Sequence, residues 1–150
     1  MRRFILFFLI VVMLSACNEK TNYQEFIVMG PSMEPTFKDG QIIKVDETYY
    51  DTNEIKRNDL IYFYNKQNNL KYVKRILGLP NEEINIMKDS ILIEGVEILL
   101  PVKIIDNPYV GKYKTGLNEY FVIGDNYSDS LDSRMGGPIE KEQIIGKVIE

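Results

Sequence analysis

The chain contains no histidine and no tryptophan, and a single cysteine, in 150 residues. Without histidine there can be no Ser-His-Asp or Cys-His triad, no imidazole-ligated metal and no imidazole general base, so any catalysis must recruit a different base. With Cys17 alone, intramolecular disulfides and cysteine metal clusters are excluded as well. No metal or other cofactor is expected. A surplus of positive charge is also missing: 18 basic residues against 22 acidic ones leave a net charge of −4. A nucleic-acid partner, whose affinity would rest on neutralising phosphates, is therefore not expected. What is present, 45% apolar and 27% charged residues, is the composition of one globular domain with one core.

The longest apolar run, Phe4 to Leu14, follows Arg2-Arg3 and precedes Ser15-Ala16-Cys17. Charge, apolar run and small residues in that order form an export signal. A helix from Phe4 to Ala16 would reach only about 20 Å, short of the roughly 30 Å that a spanning helix needs. Leu14-Ser15-Ala16-Cys17 resembles the lipobox of bacterial lipoproteins, in which the cysteine is lipidated and becomes the new N-terminus. A short uncleaved anchor is the alternative. Without Arg2 and Arg3 the chain keeps 16 basic against 22 acidic residues, a net charge of −6. The polar stretch 18–24 reads as a tether, which leaves 25–150 for the folded domain.

Beyond the tether the apolar segments are brief and rich in β-branched and aromatic residues: 26–29, 42–45, 60–64, 72–77, 91–93, 120–123 and 144–149. Their lengths and composition are those of strands. Turn signals separate them, among them Lys38-Asp39-Gly40, Gln67-Asn68-Asn69, Glu94-Gly95 and Gly136-Gly137-Pro138. No segment carries a long helical period, so a mainly β domain with one short helical turn is expected.

Two segments do more than turn. In Met29-Gly30-Pro31-Ser32-Met33-Glu34-Pro35 two prolines stiffen the backbone on either side of Ser32. This suits a nucleophile whose own amide serves as an oxyanion donor, although a proline-rich loop with a turn serine has the same composition. In Lys71-Tyr72-Val73-Lys74-Arg75-Ile76-Leu77 the period of two puts Lys74 on one face with Tyr72 and Ile76, and Arg75 on the other with Val73 and Leu77. A lysine can replace histidine as the base of a serine only when it is neutral. An ordinary lysine is deprotonated in roughly one molecule in 2,500 at pH 7, so a useful base needs its pKa lowered by about 3 units. That demands an apolar setting without a carboxylate nearby.

These residues resemble the bacterial type I signal peptidases, membrane-bound serine endopeptidases that remove signal peptides. Ser32-Met33-Glu34-Pro35-Thr36 resembles the nucleophile box, Lys56-Arg57-Asn58-Asp59-Leu60-Ile61 the next strand box, and Tyr72-Val73-Lys74-Arg75-Ile76-Leu77-Gly78-Leu79-Pro80 the lysine box. Gly124-Asp125-Asn126 with Ser130-Leu131-Asp132-Ser133-Arg134 resembles the C-terminal box. The resemblance implies Ser32 as nucleophile, with its backbone amide as oxyanion donor, and Lys74 as general base. It implies Ser130 as the serine that hydrogen-bonds the lysine, and Asp132, Arg134 and Asp125 as supports. Spacing alone would equally allow Asp132 and Arg134 to be a surface ion pair worth about 0 to 1 kcal/mol.

The implied fold is a mostly antiparallel, barrel-like β domain with a small variable subdomain, in part a hairpin at Glu94-Gly95. The implied reaction is acyl transfer on exported preproteins, after Ala-x-Ala-type sequences. The implied setting is the outer side of the bacterial cytoplasmic membrane, in contact with lipid, as a monomer. A lipoprotein that keeps this fold as a non-catalytic binding module is the alternative. The sequence departs from the family at Gly30, where some members place a serine that helps bind the oxyanion, at Tyr127, often arginine, and at Asn81-Glu82, commonly Gly-Asp.

Overall fold

The computed structural model describes residues 23–104 and 107–149. The export signal, Cys17 and the start of the tether lie outside the described residues. Among the described residues eleven strands follow one another: β1 (Tyr23–Ile27), β2 (Ile42–Asp46), β3 (Leu60–Asn65), β4 (Leu70–Gly78), β5 (Glu83–Ile86), β6 (Ile91–Ile93), β7 (Val96–Glu97), β8 (Gly111–Lys114), β9 (Glu119–Ile123), β10 (Ile139–Glu140) and β11 (Ile144–Val148). Among the described residues helix is confined to single turns at Tyr49–Thr52 and Ser133–Gly136 and a 3₁₀ turn at Lys141–Gln143. No helix among the described residues is long and apolar enough to cross a membrane.

The strands form a seven-stranded sheet in the order β1-β2-β11-β3-β4-β9-β10 and a four-stranded sheet in the order β7-β6-β5-β8. Every pairing in both is antiparallel, in agreement with the fold class read from the sequence. The smaller sheet contains the hairpin expected at Glu94-Gly95, which joins β6 to β7 in the register Ile93↔Val96. Tyr23 and Gln24, read as tether, belong to β1 and pair with Asp46 and Val45.

Strand β4 organises the core. Its first part, Leu70 to Arg75, pairs with β3, and its last part, Arg75 to Gly78, with β9 across a bulge. Val73, Ile76 and Leu77 each enter a different apolar cluster. Val73 packs with Met33 and Phe37 beneath the loop after β1, Ile76 with Ile61 and Phe63, and Leu77 with Phe121 and the inner side of the smaller sheet. Both faces of β4 are thus buried from Val73 to Gly78. Gly78 is required there, because a Cβ would stand 2.9 Å from the Phe121 Cβ. Lys74 and Arg75, on the two faces that the period of two assigns them, are therefore both buried.

Candidate active site

Ser32 lies in the loop between β1 and β2. The neck of that loop is closed by the Val28 N–H donating to the Gln41 carbonyl (2.8 Å) and the Gly40 N–H to the Val28 carbonyl (2.9 Å). Met33, 1% exposed, and Phe37 anchor the loop in the core. Its outer side docks on the segment after β9. The Asn126 N–H donates to the Ser32 carbonyl (3.1 Å), the Asn126 side chain to the Pro31 carbonyl (3.2 Å), and the Thr36 hydroxyl to Asp125. Gly124 makes this docking possible, since a Cβ there would overlap both the Ser32 carbonyl and Ser130 Oγ. Carbonyl and neighbours are occupied in this way, while the Ser32 N–H donates to no acceptor among the described residues.

Lys74 reaches this loop from the middle of β4. Its Nζ stands 2.6 Å from Ser32 Oγ, and the residue is 1% exposed. Tyr72 on the same face presents its ring 5.5 Å from Nζ. Burial is the main influence on the amine and pushes its pKa from 10.5 down to about 8. Asp132 and Asp125 act in the opposite sense, and Arg134 reinforces the lowering. The sequence reading required that no carboxylate be near Lys74. In fact two are near, and each is spoken for by an arginine.

Asp125 accepts from Arg75 through both oxygens, Nε to Oδ1 at 2.8 Å and Nη2 to Oδ2 at 2.6 Å. Arg75 Nη1 also donates to the Asn58 carbonyl (2.9 Å), which ties β4 to the start of β3. Asp132 accepts from Arg134 Nε (2.8 Å) and Nη2 (2.7 Å), and from the Gly124 N–H (3.0 Å). It also caps the one-turn helix at Ser133–Gly136. Both side chains of this pair are 0% exposed, so the alternative of a solvated surface pair is overturned: the Asp132–Arg134 pair is a buried brace beneath the loop that carries Ser32.

Ser130 departs from its expected role. Its Oγ is buried with no hydrogen-bond partner, so the bond to Lys74 implied by the resemblance is not formed; the hydroxyl lies against Gly124 instead. Gly30 has φ +82 and donates its N–H to Asp39 Oδ1 at 2.7 Å. In this left-handed conformation a serine would be strained. Arg75 was missed as a site residue because period-two reasoning placed it away from Lys74, and only the arrival of Asp125 from the segment after β9 gives it a carboxylate partner. Among the described residues no cluster of acidic side chains or cysteine is arranged to hold a metal.

An open groove of about 580 Å³ leads away from Ser32, between Ile27, Val28 and Met29 on one side and Leu70 to Val73 on the other. Its walls are strand edges: among the described residues β1 pairs only with β2, and Leu70 to Lys74 pair only with β3. A hydroxyl in contact with a buried, pKa-lowered amine, next to a free N–H and an open groove lined by strand edges, can perform acyl transfer on an extended peptide.

The whole chain, residues 1–150, matches the family described as signal peptidase, peptidase S26. It is 32% identical over 152 residues to a signal peptidase I of Bacillus licheniformis, across 92% of this chain and 81% of that protein. It is 34% identical over 142 residues to signal peptidase I U of Bacillus subtilis strain 168, across 83% and 72%. The crystal structure of a signal peptidase I from Enterococcus faecalis V583 is similar with a TM-score of 0.55 and 26% identity, over 63% of this chain and 97% of that one.

Proposed function

The chain belongs to the signal peptidases of family S26, hydrolases that remove signal peptides from preproteins, and we propose that Ser32 is its nucleophile and Lys74 its general base. One observation carries the assignment: Nζ of a lysine that is 1% exposed lies 2.6 Å from a serine hydroxyl at the head of a peptide-sized groove. With a pKa of about 8, roughly one Lys74 in ten is neutral at pH 7, some two hundred times the fraction of an ordinary lysine.

The neutral amine takes the Ser32 proton as Oγ bonds to the scissile carbonyl carbon. Negative charge gathers on the carbonyl oxygen, and the free Ser32 N–H is the donor proposed to receive it. The C–N bond then breaks, the Lys74 ammonium returns its proton to the leaving amine, and the signal peptide remains as an ester on Ser32. Lys74 next takes a proton from water, whose hydroxide attacks the ester and releases the acid, and Oγ is reprotonated.

The substrate lies extended between the edges of β1 and β4. In that geometry the first and third residues before the cut point the same way. Small side chains of the Ala-x-Ala type are proposed for these positions. Apolar, exposed Ile27 and Met29 on one rim and Leu70 on the other, at 65%, 87% and 55%, favour seating of this end of the domain on the outer membrane surface. Residues 1–17 would serve as export signal and 18–22, ahead of β1, as tether, with Cys17 lipidated and the enzyme acting as a monomer. Cleavage of an Ala-x-Ala precursor peptide by Ser32→Ala and Lys74→Ala tests the dyad. Each is expected to lose at least 10³-fold in kcat, with the double no worse than either single, because the two residues act as a unit. A Lys74→Ala enzyme within tenfold of wild type would refute the assignment.

A further inference from the structure

The stretch after β7 falls in the region that the resemblance implies is a small variable subdomain. Asn107, from that stretch, is nevertheless buried at 5% exposure beside Arg134. Its Oδ1 accepts from Arg134 Nη1 (2.9 Å) and from the Tyr109 N–H (3.1 Å), and its Nδ2 donates to the Met87 carbonyl (3.2 Å). With both ends of the amide engaged, the side chain has one orientation. The Arg134 guanidinium is held on every side: Asp132 binds Nε and Nη2, while Asn107 and the Tyr127 carbonyl (2.7 Å) bind Nη1. The rings of Tyr109 and Tyr127 lie 5.1 and 5.7 Å from it. Tyr113 of β8 adds a hydrogen bond from its hydroxyl to the Arg134 carbonyl (3.1 Å).

We infer that Asn107 is a positioning residue for the proposed dyad: it fixes the Arg134 guanidinium against Asp132 and thereby sets the charge that Lys74 meets. The inference rests on the reading of Lys74 as general base. The groups facing Lys74 are Ser32 from the loop, Tyr72 from its own strand, Asp125 with its Arg75, and Asp132 with its Arg134. Asp132 favours the ammonium and Arg134 the neutral amine, so the balance depends on how closely the two are paired. Asn107 satisfies the far edge of the guanidinium without charge. A carboxylate there would draw Arg134 away from Asp132, and a truncated side chain would let it drift. Both changes leave Asp132 less compensated and make Lys74 easier to protonate.

The experiment is the pH dependence of kcat/KM, from pH 5.5 to 9.5, for the full-length protein in detergent with an Ala-x-Ala peptide. Wild type, Asn107→Ala and Asn107→Asp are compared. Both variants are expected to shift the acid limb upward by about 0.5 to 1 pH unit, a three- to tenfold loss below the limb, with KM within about twofold. A purely structural role would lower the melting temperature or the active fraction and leave the limb in place. The near-isosteric Asn107→Asp keeps the test decisive if Asn107→Ala does not fold. A limb unmoved in Asn107→Asp, or in a folded Asn107→Ala, overturns the inference. A wild-type profile without a single-proton acid limb would instead refute the Ser32–Lys74 reading, so the two failures are told apart.

Discussion

Replacing Lys74 by methionine should abolish cleavage and yet make the protein more stable at neutral pH. The folded state holds this amine, 1% exposed, with a pKa lowered from 10.5 to about 8, chiefly by burial. Between those two values the unfolded chain binds the proton more tightly than the folded one, so stability rises with pH across that interval, and the cost is fully present below pH 8. A displacement of about 2.5 units corresponds to about 3 kcal/mol at pH 7. Methionine has a similar length and no charge to desolvate, and Asp125 and Asp132 keep their arginine partners. Urea unfolding followed by far-UV circular dichroism would measure wild type and Lys74→Met at pH 7 and 9.5. The variant should be more stable by up to about 3 kcal/mol at pH 7, and this advantage should shrink by about 2 kcal/mol at pH 9.5, because the other titrating groups are common to both proteins. An advantage equal at the two pH values, or a variant less stable at both, would refute the idea that this lysine is held in the fold against its own charge.

Gly124→Ala places a Cβ on the Ser32 carbonyl and Ser130 Oγ; kcat should fall at least tenfold as the loop is pushed off Lys74, and an active enzyme with unchanged kcat would mean that the docking of this loop does not matter. Arg134→Met strands the fully buried Asp132 carboxylate and should cost about 3 to 5 kcal/mol in urea unfolding, most of it recovered in Arg134→Met/Asp132→Leu. Cys17→Ser should abolish incorporation of labelled fatty acid and leave an unprocessed, larger form in cells. A wild-type protein that takes up no label would sink the lipid anchor and leave the peptidase untouched.

The strand segments and the order of the motifs were legible because they depend on local properties: β-branched and aromatic runs, turn residues, and a spacing that puts Lys74 on one face of β4. Strands β5 and β8 were not legible, since Glu83-Ile84-Asn85-Ile86 and Gly111-Lys112-Tyr113-Lys114 bury one side only. The other side of their pair is charged, with Lys114 3.7 Å from Glu83, and such short half-polar stretches look like loop in isolation. Ser130 shows the reverse error. The motif carried over the residue but not the bond expected of it: the Ser130 hydroxyl is buried beside Gly124 without a hydrogen-bond partner.

By itself, then, the chain of residues determined that a base other than histidine must act, that the domain is built from short strands, and which serine and which lysine are candidates for the dyad. It could not determine whether that lysine is neutral enough to act. Its proton affinity is set by burial and by two carboxylates whose arginine partners, Arg75 and Arg134, stand 50 and 2 positions away from them in sequence. Desolvation and charge compensation are properties of groups brought together through space, and here the junction of β4 with the segments after β9 and β7 brings them together.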